Sequence, residues 1–184
     1  MQIIETGFAG LVEIQPSVYR DSRGWFIEFY KDEVYQKHGI TDVFYQENIS
    51  FSKKGVIRGL HFQLPPFEQA KLVSVISGKV LDVVVDIRKN SPTFGQVYTC
   101  LLDGEKQNQL MVPGGFAHGF AALEDAYFLY KVSNRYSRES ECGIRWDDPD
   151  LNIQWPVSEP IISDKDSKLP SFRELLGKSL ISRT

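Results

Sequence analysis

The chain has 184 residues, 42% of them hydrophobic and 24% charged, with a formal net charge of -3. That length and balance suit one folded domain over 1–184 and exclude a disordered chain. The slight acidic excess gives no footing for nucleic-acid binding, and two distant cysteines (Cys100, Cys142) form neither a disulfide framework nor a zinc cluster.

In chain order, Glu5 and Glu13 interrupt the N-terminal stretch, so no signal peptide is expected. No apolar run approaches the roughly 18–20 residues of a membrane helix, and the cytoplasm is the expected compartment. Runs rich in Val, Ile, Phe and Tyr predict strands over 10–19 and 25–30. A short helix follows over 32–38, with Asp32 as N-cap and Gly39 as stop. Further strands are predicted over 43–50, 56–63, 71–76, 79–87, 95–102, 108–112, 118–123, 126–133 and 142–145. Turn chemistry separates them at Asp21-Ser22-Arg23-Gly24, Lys53-Lys54-Gly55, Ser77-Gly78, Asn90-Ser91-Pro92 and Asp103-Gly104. The stretch 155–170 reads as a tail wrapped on the body, because it keeps Trp155, Ile161 and Ile162; a last helix is expected from Ser171 to Leu176. Many short strands without crossover helices predict an all-β antiparallel sandwich or barrel.

Four segments carry polar groups suited to chemistry. In Gly55–Gln63, Arg58, His61 and Gln63 interrupt a strand, and each must be paired if buried. Strict alternation sets Arg58 and His61 on opposite faces, so a bend or bulge at Gly59 is needed to bring both to one cavity. The alternative is a strand end reaching the surface. In Pro113–Phe120, three glycines around His118 allow close backbone approach, or simply a tight corner. In Ala126–Val132, the alternating aromatics read as core unless one phenol faces a polar cavity. In Arg20–Glu28, two arginines before an aromatic strand form a solvated hairpin, or an anion clamp with a stacking ring. A metal-binding barrel would use His61, position 63, Glu68 and His118; position 63 is Gln, whose amide is a poor transition-metal ligand.

Together with Val85-Asp-Ile-Arg-Lys89, Ser91-Pro-Thr-Phe-Gly95, Ile144-Arg-Trp-Asp-Asp-Pro149, Trp155-Pro156 and Ser163-Asp-Lys-Asp166, these segments resemble the dTDP-4-dehydrorhamnose 3,5-epimerases over nearly the whole chain. The resemblance implies a cupin-type jelly-roll barrel with no metal and no cofactor, acting on a dTDP-4-keto-6-deoxyhexose. It implies His61 as base, Asp166 as its partner, Tyr130 as proton donor on the other face, and Lys71 beside the keto oxygen. It further implies substrate binding by Arg23, Phe26, Glu28, Gln46, Glu47, Asn48, Arg58, His118, Tyr136, Glu141 and Lys165. Position 47 is Glu where the family commonly has Asp, and position 70 is Ala where Gly is common. The resemblance also implies a homodimer in which Arg23, Phe26 and Glu28 serve the partner's site. The rival readings are an epimerase of one centre only (C3 or C5), a related 4-keto sugar-nucleotide epimerase with a different sugar or nucleotide carrier, a 3,4-ketoisomerase on the same barrel, and a sugar-nucleotide binding protein without catalysis.

Overall fold

The computed structural model describes residues 1–178. Its larger sheet runs β1 (Gln2–Glu5), β2 (Val12–Gln15), β10 (Gln109–Val112), β7 (Lys71–Ser77), β12 (Ala126–Val132), β5 (Gln46–Ser52). The smaller runs β13 (Glu141–Gly143), β6 (Ile57–Gln63), β11 (Phe116–Ala122), β8 (Lys79–Asp86), β9 (Val97–Asp103). Neighbouring strands pair antiparallel, and the two sheets close on a common core as a jelly-roll barrel. Among the described residues, strands β3 (Val18–Asp21) and β4 (Gly24–Ile27) pair only with each other, as a hairpin.

Residues of both sheets meet in the barrel: Val73, Leu110 and Phe128 from the larger, Val84, Leu102 and Phe120 from the smaller. The outer face of the smaller sheet is also covered. Val83 and Val85 pack there against Ile144, Leu151, Phe172 and Leu175 of the C-terminal part. Burial on both faces explains why β8 reads as a near-continuous apolar run rather than an alternating one. Helix α1 (Asp32–Lys37) covers the larger sheet, placing Tyr35 against Ile14, Leu72 and Met111.

The expected strand over 10–19 divides at Pro16 into β2 and β3, since proline has no N–H for a ladder. β1 was not expected from the sequence; it is short and mostly exposed, so it carries no apolar period. Asp32 is not the N-cap of α1. Lys31 holds that position without a side-chain bond, and the Asp32 carboxylate accepts instead from Tyr30 and Gln36. Gly39 ends the helix at a φ of +84°. The last helix, α2 (Phe172–Gly177), begins as expected, with Ser171 and Glu174 forming a capping box. The tail does lie on the body: Trp155 packs in the outer core and donates its indole N–H to Trp146. Residues 179–184 of the expected domain lie outside the described residues.

Candidate active site

The register of β6 against β11 builds the site. His61 pairs with His118 and Arg58 with Phe120, so three steps on β6 oppose two on β11. His118 and Phe120 lie two apart and share the interior face. The extra residue in β6 therefore turns both Arg58 and His61 inward, as the bulge expected at Gly59 requires. Only glycine fits there: its φ is +123°, and a Cβ would lie 2.6 Å from the Gly119 Cα.

A cavity of about 300 Å³ opens between the sheets. The smaller sheet lines it with Arg58, His61 and His118, the larger with Lys71, Tyr130 and Ser50, and the tail with Ser163, Lys165 and Asp166. His61 and Tyr130 thus project from opposing walls.

His61 Nε2 lies 2.7 Å from Asp166 Oδ1, and the other carboxylate oxygen accepts from the Gly59 amide at 3.2 Å. The His61 side chain is 33% exposed and that of Asp166 6%, so the imidazole reaches the cavity while its partner stays buried. Burial pushes the Asp166 carboxyl up. The hydrogen bond and charge of His61, the Gly59 amide and Lys165 outweigh this and hold it below the usual carboxylate range. Lys71 donates to the His61 carbonyl at 3.4 Å. Burial brings its ammonium down to about 8, against the opposing pull of Asp82 and Glu141. Burial raises the Tyr130 phenol, with Arg58 opposing, so it keeps its proton at neutral pH.

Other expected residues surround this centre. Arg58 donates from Nε to Ser52 and from a terminal nitrogen to the Phe51 carbonyl, which straps its guanidinium to β5. His118 Nε2 meets both oxygens of the buried Asp82, at 3.0 and 2.9 Å. Glu141 accepts from Lys165 at 2.6 Å and from Tyr136 at 2.8 Å, making a polar cluster beside the cavity. Gln46 and Asn48 share the face of Ser50 on β5 and bond each other at 2.7 Å. Glu47 turns to the opposite face and pairs with Lys131. Arg23, Phe26 and Glu28 are not brought to this cavity. Arg23 sits 88% exposed on the hairpin with Asp21, Phe26 is 64% exposed, and Glu28 faces Lys31. Gln63 clamps a loop, donating to Phe67 and Arg135 and accepting from the Ser137 amide.

Sequence reasoning missed Asp82 and Ser50. Asp82 was visible as a lone charge in an apolar strand, but its inward direction depends on the register of β8. Ser50 had no signal of its own.

The dTDP-4-dehydrorhamnose 3,5-epimerase family matches residues 5–174. The enzyme of that name from Shigella flexneri is 48% identical, over 90% of this chain and 93% of its own. That from Methanothermobacter thermautotrophicus is 44% identical, over 94% and 95%. Among solved structures, the Legionella pneumophila 3,5-epimerase in complex with dTDP-4-keto-L-rhamnose has a TM-score of 0.92 and 45% identity, over 100% of this chain and 98% of its own. A 3'-monoepimerase from Streptomyces bikiniensis, bound to dTDP-quinovose, has a TM-score of 0.91 and 30% identity, over 98% and 92%. The match spans most of the chain and the barrel agrees with it: this chain belongs to the dTDP-4-dehydrorhamnose 3,5-epimerase family.

Proposed function

We propose that the protein inverts C3 and C5 of dTDP-4-dehydro-6-deoxy-D-glucose to give dTDP-4-dehydro-L-rhamnose, the epimerisation of dTDP-rhamnose synthesis that feeds cell-surface polysaccharides. The reading includes a single domain over 1–184, a cytoplasmic enzyme, and a homodimer. The observation that carries it is the pairing of His61 with buried Asp166 on one wall and Tyr130 on the other, with the Lys71 ammonium in the same cavity.

The chemistry follows from the substrate. A ketone at C4 acidifies the hydrogens on C3 and C5, because either anion is an enolate. With Asp166 accepting from Nε2–H, neutral His61 presents the lone pair of Nδ1 and removes the proton. The Lys71 ammonium stabilises the charge that develops on the keto oxygen. Tyr130 returns a proton from the opposite face, inverting the centre; His61 then releases its proton to solvent and the Tyr130 phenolate takes one back from solvent, which resets both for the next centre. The exchange is proton for proton, so the reaction balances without a redox partner. Arg58 supplies positive charge for the diphosphate.

Arg23, Phe26 and Glu28 belong to this reading as residues that complete a partner's site. Two observations support the homodimer: the exposed hairpin aromatics Tyr19, Trp25 and Phe26, and the exposed Ile49, Phe51 and Tyr127 along β5 and β12.

The test is incubation with dTDP-4-keto-6-deoxyglucose in D₂O, followed by NMR. Deuterium and inversion at both C3 and C5 support the reading. Change at one centre alone makes the protein a monoepimerase, like the Streptomyces bikiniensis neighbour, and no exchange leaves binding without catalysis.

A further inference from the structure

Among the described residues, one buried side-chain oxygen has no hydrogen-bond partner: the hydroxyl of Ser50. It lies on β5 opposite Phe128 of β12, in the larger sheet's wall of the cavity that Tyr130 also lines and that Arg58 enters from the smaller sheet. Buried serines nearby are satisfied. Ser52 accepts from Arg58 at 2.9 Å, and Ser74 reaches the Leu129 carbonyl at 3.5 Å. Leaving a buried hydroxyl unpaired costs the full desolvation of that group. A wall position needing only bulk is better filled by alanine, which carries no such cost.

The neighbours say what the hydroxyl meets. Arg58 is strapped to Phe51 and Ser52, the two residues that follow Ser50, so its guanidinium stands on the same side of the cavity. No carboxylate pairs with Arg58 among the described residues; its partners are neutral oxygens. A hydroxyl donor next to an uncompensated guanidinium favours an acceptor-only, anionic oxygen over a sugar hydroxyl. We propose that Ser50 donates a hydrogen bond to the diphosphate of the substrate, acting with Arg58 as a second diphosphate-binding residue. This rests on the sugar-nucleotide reading above.

Calorimetric titration of Ser50→Ala with dTDP, which has the diphosphate but no sugar, tests it, alongside KM for the full substrate and Tm of the free protein. Loss of a hydrogen bond to a charged group weakens dTDP binding by roughly 10-fold or more and raises KM in parallel. Tm of the free variant is unchanged or higher, because an unpaired hydroxyl has been removed. If KM rises while dTDP affinity holds, the hydroxyl meets the sugar and the diphosphate assignment is wrong. If neither changes, Ser50 is satisfied by solvent and the proposal falls. Wild-type protein that fails to bind dTDP overturns the sugar-nucleotide reading as well, which separates the two failures.

Discussion

The carboxylate behind His61 decides two properties at once. Asp166 is buried yet held below the usual carboxylate range, so it stays ionised against the imidazole throughout the neutral region. A depressed carboxyl contributes stability that is present above its unfolded pKa and is lost as pH falls through the folded value. Asp166→Asn should therefore lower Tm at neutral pH, and the gap to wild type should narrow on acidification. Without the carboxylate to fix its tautomer, His61 should also lose rate by about 10²-fold or more. A variant with full kcat would remove Asp166 from the mechanism. Lys71 gives the opposite limb. Its cation, at about 8, is present below that pH and lost above it, so kcat/KM should fall on the alkaline side. Lys71→Arg keeps a charge at all working pH values, and its profile should lose that limb even if its rate is lower. A limb with an unchanged midpoint would belong to another group. His61, Lys71 and Tyr130 were legible because each stands in a segment with recognisable company. Asp82 and Ser50 were not, because a side chain's value to the cavity depends on the face it takes, and register sets the face.

At the scale of elements, the bulge between β6 and β11 was legible as a requirement before it was visible as geometry. An arginine and a histidine three apart cannot share one face of a regular strand. Its enforcement by two glycines against each other was not legible, since it takes both strands. A Cβ on Gly119 would lie 2.4 Å from the Arg58 carbonyl oxygen and 3.0 Å from the Gly59 Cα, all backbone that cannot turn aside. Gly119→Ala should force β6 away from β11 where Arg58 and His61 are set. Expected are a lower Tm and a loss of kcat/KM on the order of 10²-fold, the usual scale for a misplaced catalytic group. Ser171→Ala is the contrast. It removes the α2 cap for about 1 kcal/mol, lowering Tm by roughly 2–4 °C, with kcat/KM unchanged because the helix covers the outer core. Equal activity loss in both would reduce the glycine effect to general destabilisation. Most strands were legible from the turns between them. The boundaries that moved did so where burial, not composition, decides: β1 is mostly exposed, and the N-cap of α1 fell to Lys31 because Asp32 already serves Tyr30 and Gln36.

At the scale of the whole molecule, the candidate site looks unfinished. Its cavity holds the proposed acid, base and cation, yet Arg23, Phe26 and Glu28 stand elsewhere, on or just after a hairpin that joins neither sheet. A strand pair is marginal alone in water, and aromatic residues exposed on it need a surface to cover them. Whether that surface is a second copy is invisible in one chain's periodicity, because its contacts are made by residues that read as exposed. Mixed dimers answer the question directly. His61→Asn removes the proposed base and leaves the hairpin intact; Arg23→Ala removes one hairpin cation and leaves that base. Each variant alone should be strongly impaired. After unfolding and refolding the two together, a hybrid dimer has one site with His61 from one chain and Arg23 from the other, and one site with neither. Random pairing should then recover about a quarter of wild-type activity, half of the dimers carrying one intact site of two. If Arg23 acts within its own chain, no hybrid site is complete and activity stays at the level of the separate variants. Recovery thus requires both the dimer and the exchange of hairpins, which sedimentation alone would not distinguish.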